Sequence, residues 1–457
     1  MHKSGIVVVL SLLLGGCGLA PPLAPSEPPS LPQNWQGEST GDAVTADWWQ
    51  GFASEELNAL VARARRESLD VAQAAARVEQ AAALLKVAGA ARVPEIGASL
   101  TRSQSGALDG GAAGSKSFGL GLEASYELDL WGRVGALEQS ALAAWQASRF
   151  ERDAVRLSIT AATVNTWLQS VSRRERLQLA RDNLALARRL LQLVEARHGA
   201  GAATALEVAQ QRGLVATQER LVAALGQEAE ESRSLLAILL GSTAGIPTEQ
   251  DSLQDIQVPG VAVGLPGELL TRRPDIAEAE ARLPGARADI QAARAALLPK
   301  ATLELGLGGD GGQWSRLLEH PLYSLAAALT APIFNGGRLA AQRDLTVARR
   351  EELLAAYRQT IVTACAEVET ALSRSNGLAQ QSRAMTAELS QAGRAVSLAE
   401  ARYQAGAETL MTLLETQRTY YQTRDLAVQL HLARLQSAVA LFKALGGGWQ
   451  AVGADPG

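Results

Sequence analysis

Proline and glycine are missing from long parts of this sequence, and their absence indicates very long helices. No proline occurs between Pro94 and Pro247, nor between Pro332 and Pro456. Residues 136–198 contain neither proline nor glycine. Since these two residues are the usual helix breakers, we expect one helix there, extending roughly 95 Å at about 1.5 Å per residue.

Cysteine, histidine and net charge are also scarce, and each scarcity excludes a class of function. The only two cysteines are Cys17 and Cys365, so no disulfide framework is expected. The four histidines are scattered, without metal-ligand spacing, and no glycine-rich phosphate loop is present. A net charge of −4 gives no reason to expect nucleic acid as a partner. We therefore expect neither an enzyme nor a metal or cofactor site.

What the sequence does contain is an internal duplication with a constant offset of 205 residues. Glu195–Arg197 returns as Glu400–Arg402, and Gly201 returns as Gly406. Further matching pairs are Asp70 and Asp275, Arg77 and Arg282, Pro94 and Pro299, Arg133 and Arg338, and Thr204 and Thr409. Units of this length are too large for a solenoid repeat. The chain is therefore two copies of one large module.

The N-terminus has the features of a secretory signal. Lys3 precedes an apolar run that is too short to span a bilayer, and small residues lead to Cys17. A cysteine after Leu-Gly-Gly resembles a bacterial lipobox, which predicts a diacylglycerol and an N-acyl lipid on Cys17. Gly18 in place of aspartate favours the outer membrane, and the prolines of 21–32 predict an extended tether. The alternative is an ordinary signal peptide with an incidental cysteine.

Each module pairs two amphipathic strands ahead of its long helix. Apolar residues alternate with polar or small ones in these segments, a period of two that is typical of a strand with one apolar face. The apolar positions are Ile96, Ala98 and Leu100; Phe118, Leu120, Leu122, Ala124, Tyr126 and Leu128; Ala301, Leu303, Leu305 and Leu307; and Tyr323, Leu325, Ala327, Leu329, Ala331 and Ile333. Glycine-rich segments 106–114 and 308–312 are the predicted turns.

Four strands cannot close a barrel, and an open sheet leaves unpaired edges. One solution is a sheet covered by helices of the same chain. The other, which we favour, is that several chains pool their strands into one membrane barrel. Phe118 and Tyr323 would then lie in one aromatic belt, and Tyr126, Trp131 and Phe334 in the other.

The long helices are expected to pack as coiled coils. The second copy of the long helix, 338–405, is interrupted only by Gly377 and Gly393, each costing about 1 kcal/mol. The last helix has a seam with alternating spacings of three and four, which is the coiled-coil pattern. The positions of this seam are Met411, Leu414, Arg418, Tyr421, Asp425, Val428, Leu432, Leu435, Val439 and Phe442. All of them except Arg418 and Asp425 are apolar.

Five segments carry a resemblance to a known family. They are Asp47–Trp49, Tyr126–Arg133, Arg272–Ile276, Pro332–Arg338 and Lys443–Trp449. Together they resemble the TolC-like outer-membrane factor family, in its lipoprotein branch (OprM/NodT-like) that serves resistance-nodulation-division efflux systems. The resemblance covers Cys17 to Trp449. One departure is Pro284, which we expect to kink or break its helix.

The resemblance implies a fold class, a domain order and a location. Each chain would give four strands to a trimeric 12-stranded outer-membrane β-barrel, and long helices to a periplasmic coiled-coil α-barrel. The protein would be lipid-anchored in the bacterial outer membrane and extend into the periplasm. The expected segments are a signal peptide 1–16, a lipidated tether 17–50, repeat 1 at 51–241, an equatorial linker 242–265, repeat 2 at 266–446 and a tail 447–457.

The resemblance also implies functional residues at the far ends of the long helices. The two tips, at Arg197, Gly201 and Thr204 and at Arg402, Gly406 and Thr409, would dock on a periplasmic adaptor. On the residues alone, the glycines suit left-handed helix ends and the threonines suit N-caps. Met411 and Glu415 would form an apolar and an acidic ring that constrict the tunnel. The alternative for Glu415 is a solvated charge on a helix face.

The function implied is that of a passive exit duct for small toxic molecules. The duct would be embedded in the lipid of the outer membrane. Its partners would be two further copies of the chain, a periplasmic adaptor (membrane fusion) protein and an inner-membrane resistance-nodulation-division pump. Two alternatives belong to other classes. One is the outer-membrane channel of a type I protein-secretion system, and the other is a structural coiled-coil lipoprotein.

Overall fold

The computed structural model describes residues 28–37, 41–106, 115–317 and 319–450. The expected signal peptide, Cys17 and most of the predicted turn 106–114 lie outside the described residues. The chain divides into two compact units, Met1–Ser30 and Leu31–Gly457. Of the first unit only 28–30 are described, and they form no helix or strand. The second unit contains all the elements given below.

The described part of the second unit is mostly helical, with one sheet of four strands. The helices are α1 Glu55–Glu67, α2 Leu69–Ala90, α3 Arg133–Gly199, α4 Ala205–Leu239, α5 Leu269–Arg272, α6 Pro274–Ala295, α7 Arg338–Gln404 and α8 Leu410–Ala444. The strands are β1 Asp42–Ala43, β2 Glu95–Ser105, β3 Ser115–Leu128, β4 Val261–Ala262, β5 Lys300–Gly311 and β6 Leu322–Thr330. Within these ranges, none of the helices combines the length and the apolar character needed to cross a bilayer.

The two long helices are continuous, as the lack of breakers predicts. Both α3 and α7 have 67 residues, and their first residues, Arg133 and Arg338, are 205 apart. A left-handed glycine precedes each, Gly132 with φ 72° and Gly337 with φ 82°. The Asp129 carboxylate accepts the backbone N–H groups of residues 134 and 135, at 2.9 and 2.8 Å, and so caps α3. The sharp transition from sheet to helix is therefore built into each copy.

The four longer strands form one antiparallel sheet in the order β2-β3-β5-β6. Residues directly opposite one another in such a sheet point to the same face. Leu122 lies opposite Ala98 and Leu307, and Leu307 lies opposite Tyr323, so the apolar positions of all four strands share one face. The predicted alternation is confirmed, and the register places it in a common plane.

This apolar face is exposed in the single chain. Eleven of its large side chains are between 38% and 80% exposed: Ile96, Leu100, Leu120, Leu122, Leu128, Leu303, Leu305, Leu307, Tyr323, Leu325 and Leu329. Leaving one such side chain in water rather than in an apolar medium costs about 2 kcal/mol. An uncovered patch of this size marks a surface that contacts lipid or protein.

Two of the five predicted aromatic positions, Phe118 and Tyr126, lie toward opposite ends of the sheet, whereas Tyr323 is at the level of Leu122 between them. Phe118 lies opposite Gly311 at one end, and its ring is 4.7 Å from that of Trp314. Tyr126 lies opposite Leu303, toward the other end.

Two sequence predictions about the strands are wrong. The segment 308–312 is not a turn, because β5 continues to Gly311. Its glycines instead permit close approach: a Cβ at Gly308 would come within 2.6 Å of the Leu120 carbonyl oxygen, and one at Gly309 would overlap the Leu317 carbonyl. The last strand also ends at Thr330, before the predicted Ala331 and Ile333. Pro332 has no N–H for the ladder, which explains this early end.

The predicted break at Pro284 is also wrong. Helix α6 is continuous from Pro274 to Ala295 with Pro284 inside it. The proline lies on the exposed face, and so does Glu280, whose carbonyl loses its intrahelical partner. The opposite face is buried, and a Cβ at Gly285 would lie 3.1 Å from the Ala143 side chain of α3. Small residues at this contact let the two helices approach closely.

Helices of one repeat pack directly against helices of the other. Helix α6 of the second repeat packs on α3 of the first as well as on α7, and α3 also contacts α8. The main core joins the segment Trp48–Phe52, α1, the middle of α3 and α7, and the end of α8. Trp48 stacks on Phe442 with ring centroids 5.0 Å apart. The long helices are therefore anchored at mid-length by both repeats.

The close approach at Gly309 leads to a stability prediction. Replacing Gly309 by Val should push the segment at Leu317 away from strand β5, because overpacking of this kind costs about 1–3 kcal/mol. The fraction of chains that stay folded and assembled in unheated detergent gels should fall clearly. Gly97→Val is the matched control, since a Cβ at Gly97 meets nothing within 4 Å. Equal losses in both variants would contradict this role for Gly309.

Candidate functional site

The first helix tip is a left-handed turn closed by a capping box. Gly201 has φ 73°, which glycine adopts without strain, and the chain turns there from α3 into α4. The Thr204 side chain accepts from the Glu207 amide at 3.2 Å, while the Glu207 carboxylate accepts from the Thr204 amide at 2.6 Å. The capping role expected for these residues is therefore present.

The second tip has the same backbone but a different cap. Gly406 again has φ 73°, and the Thr409 side chain accepts from the Thr412 amide at 3.3 Å. Since Thr412 stands where the first repeat has Glu207, the Thr409 amide donates to Glu408 instead, at 3.1 Å. This hydrogen bond lowers the pKa of Glu408, and Arg402 lies 3.4 Å from the same carboxylate.

The two tips are joined to each other. The Arg197 guanidinium donates to the Tyr403 carbonyl at 2.8 Å and lies 4.7 Å from the centre of the Tyr403 ring. Beneath this contact is an apolar cluster from all four helix ends: Leu190, Val194, Val208, Leu214, Ala399, Tyr403, Leu410, Leu413 and Leu414. Arg197 is thus partly engaged within the chain, whereas Gly201, Thr204, Arg402, Gly406 and Thr409 are exposed.

Met411 and Glu415 lie on one exposed face at the start of α8. They are four residues apart, so their side chains are neighbours on the helix surface. Met411 is 58% exposed, while Leu413 and Leu414 beside it are buried. Glu415 is exposed as well. An exposed methionine above an exposed carboxylate is the arrangement that converging copies of the helix would need to form stacked apolar and acidic rings.

Deeper along α8, polar contacts couple the two repeats. The Arg176 guanidinium of α3 donates to both oxygens of Asp425, at 2.6 and 3.1 Å. Arg424 donates to Asn183 at 3.3 Å. No local sequence pattern predicts this pairing, because 249 residues separate the two partners of the first contact. The signal that was available is the presence of Asp425 in a seam that is apolar at all other positions except Arg418.

The linker between the repeats is held by two helices. The backbone of Leu253 donates its N–H to the Glu175 carboxylate at 2.8 Å, and its carbonyl lies 3.0 Å from the His431 ring nitrogen. Burial lowers the pKa of His431. The side chain of Leu253 is itself buried in the main core. The linker is therefore fixed against α3 and α8 just beside the contacts that couple the repeats.

Comparisons with known proteins point to one group. A family model described as "Outer membrane efflux protein" matches residues 60–242 and again 265–447, so both boundaries shift by 205. "Pyoverdine export outer membrane protein OpmQ" of Pseudomonas aeruginosa is 46% identical, covering 98% of this chain and 97% of that protein. "Cation efflux system protein CusC" of Escherichia coli is 30% identical, covering 96% and 98%.

A solved structure shares the fold over nearly the whole chain. It is described as a membrane protein from Pseudomonas aeruginosa, is 32% identical and superposes with a TM-score of 0.85. The match covers 94% of this chain and all of that one. The predicted fold class, with strands for a membrane barrel and long periplasmic helices, is confirmed.

The contact between Arg176 and Asp425 leads to a prediction about the tip half of α8. Asp425→Asn should destabilise the contact by about 1 kcal/mol, since the pair is partly exposed and screened. Amide hydrogen exchange in α8 should become several-fold faster from 410 to 425. Glu219→Gln removes a more exposed pair with Arg188 within the first repeat and should leave exchange unchanged. Unchanged exchange in Asp425→Asn would mean that the contact does not hold the helices together.

Proposed function

Because the chain belongs to the outer membrane efflux protein family, we propose that it works as a homotrimer together with a periplasmic adaptor and an inner-membrane resistance-nodulation-division pump. Its own function is that of an outer-membrane efflux channel, an exit duct from the periplasm through the outer membrane. Members of this family are channels, and we assign the chain no catalytic step.

The observation that supports the proposed trimer is the four-stranded sheet with an exposed apolar face. Strands β2 and β6 are its two edges, and among the described residues neither has a strand partner for its outer row of backbone N–H and C=O groups. In lipid such groups must be paired. Pairing β2 of one copy with β6 of the next would satisfy both edges. Three copies would then close a barrel of twelve strands whose apolar face meets lipid.

The duct's selectivity is proposed to come from its partners. Two relatives of similar length are named for different exports, pyoverdine in one case and cations in the other. Proteins with one fold that serve such different cargo fit a passive passage whose substrates are chosen by the pump. On this proposal the pump, and not this chain, determines which small molecules are exported.

Cys17 is proposed to carry the lipid anchor. Cys17→Ser should abolish acylation, because the thiol is the atom that is lipidated. Metabolic labelling with a fatty-acid analogue, followed by purification of the chain, measures this directly. Cys365→Ser is the matched control and should label fully. Trimers should still form, since the barrel inserts through its strands. Unchanged labelling of Cys17→Ser would overturn the lipobox assignment.

The tips are proposed to dock on the adaptor. Gly406→Trp should abolish efflux while trimer levels stay normal, because the residue is exposed, a Cβ there meets nothing within 4 Å, and the left-handed backbone costs a non-glycine residue only about 1–2 kcal/mol. Gly406→Ala is the control, since alanine has a similar left-handed backbone strain without the bulk. Efflux is measured as dye accumulation in cells that carry the matching pump. Normal efflux in Gly406→Trp would remove this tip from the docking surface.

Met411 and Glu415 are proposed to line the narrowest part of the closed tunnel. Met411→Ala should raise basal conductance, since it removes an apolar constriction. Glu415→Gln should reduce cation preference and block by divalent cations, because fixed carboxylates in a narrow passage attract cations. The combined Met411→Ala and Glu415→Ala variant should show both effects. Single-channel recording in planar bilayers measures all three variants.

Glu408→Gln is a suitable control for the gate, since that carboxylate lies on the tip turn and outside the proposed rings. It should leave conductance and selectivity unchanged. Unaltered conductance and selectivity in the double variant would place the constriction elsewhere and leave Glu415 as a solvated charge.

A further inference from the structure

A pocket lined by arginine and tryptophan lies beside the middle of α3, away from the tips and the gate. Its volume is about 610 Å³, within the range of small-molecule sites. Its walls include Trp48 and Trp49, Arg65 of α1, Arg156 of α3, and the segment Gly446–Gln450 that follows α8. Arg156 lies roughly 35 Å along α3 from Arg133, at about 1.5 Å per residue, and so on the periplasmic side of the sheet.

The duplication shows that this pocket is a departure from the common architecture. The residues 205 positions after Arg65, Arg152 and Arg156 are Leu270, Tyr357 and Ile361. Tyr357 and Ile361 are buried in the main core, 5% and 1% exposed, and Leu270 packs against that core. One copy thus uses these positions for apolar packing, while the other places three cations around a cavity. Packing does not explain the arginines.

One of the three arginines is fully engaged. Arg152 donates twice to Asp153, at 3.1 and 2.8 Å. The other oxygen of Asp153 accepts from the Trp449 indole at 3.1 Å. Arg152, Asp153 and Trp449 therefore form a neutral, hydrogen-bonded wall of the pocket.

The other two arginines are left with an excess of positive charge. Arg65 lies 5.1 Å from the centre of the Trp49 ring, and its counter-charge is Asp47 at 3.6 Å, whose side chain is 57% exposed. Burial and the neighbouring Arg156 charge lower the pKa of Arg65. In the part of the chain that the structure describes, no acceptor bonds the Arg156 guanidinium. Among the described residues, this pair of guanidinium groups thus has one weak, solvent-exposed counter-charge, Asp47 beside Arg65.

We propose that Arg65 and Arg156 form a binding site for an organic anion, a carboxylate or phosphate joined to a compact apolar body. Guanidinium groups bind both kinds of anion through paired, charge-assisted hydrogen bonds. The partly buried side chains of Trp449 and Leu157 supply apolar surface for the rest of the molecule. The anion neutralises the excess charge, and its apolar part excludes water from the pair.

The test is isothermal titration calorimetry on the full-length trimer in detergent and phosphate-free buffer. The probes are N-acetyl-L-phenylalanine, its neutral amide, phenyl phosphate and inorganic phosphate. At least one of the two organic anions should bind about tenfold or more tightly than the neutral amide. Inorganic phosphate, which lacks an apolar body, should bind more weakly than phenyl phosphate. The better of the two organic anions identifies the headgroup.

The same titrations on the unmodified protein can overturn the proposal without any variant. No binding by either organic anion would mean that the pocket is closed or filled in the assembled trimer. Equal binding of the neutral amide would show that charge plays no part. Inorganic phosphate bound as tightly as phenyl phosphate would remove the apolar half of the site.

Variants then locate the site. Arg156→Gln should weaken binding of the preferred anion about tenfold or more, the loss expected for a charge-assisted hydrogen bond. Arg149→Gln is the matched control, since Arg149 lies on the same helix, is exposed and contacts Trp145 outside the pocket. It should bind as the unmodified protein does. Equal losses in both variants, or none in Arg156→Gln, would contradict the assignment.

Discussion

The need to pair every backbone hydrogen-bonding group in lipid governs this structure. The chain makes a sheet of four strands, too few to close, with one face of leucine, isoleucine and tyrosine side chains exposed. Within the described ranges of one chain, neither are the edges paired nor is the apolar face covered. Both are satisfied if copies join edge to edge in a membrane. The duplication, the long helices and the contacts between repeats can all be understood as consequences of that assembly.

The two repeats share a backbone and differ in what they carry. Both have a 67-residue helix that starts after a left-handed glycine and ends at a tip with the same turn. They differ at single positions: Thr412 replaces Glu207 in the cap, and apolar core residues in one copy are arginines beside a pocket in the other. Duplication thus supplies the frame, and local substitutions supply the proposed gate and the proposed anion site.

Much of the fold could be predicted from the sequence because it depends on local patterns. Period-two alternation and the absence of proline and glycine fix the long strands and helices to within a few residues. The errors arose where tertiary contacts decide. Gly308 and Gly309 looked like a turn but allow strands and a loop to approach, and Pro284 is tolerated because it lies on an exposed helix face. The contact between Arg176 and Asp425 joins residues that no local pattern connects. The placement of Met411 and Glu415 on one face followed from their spacing alone.

Disulfide trapping between the sheet edges tests the central claim most directly. Ser99 of β2 would be changed to cysteine together with one of three β6 residues on the same sheet face, Ser324, Ala326 or Ala328, in a Cys365→Ser background. If β2 of one copy pairs with β6 of the next, oxidation of at least one pair should give covalent dimers and trimers, with no larger species, that reductant reverses. Monomers alone from all three pairs, or a ladder that continues beyond three, would contradict the account.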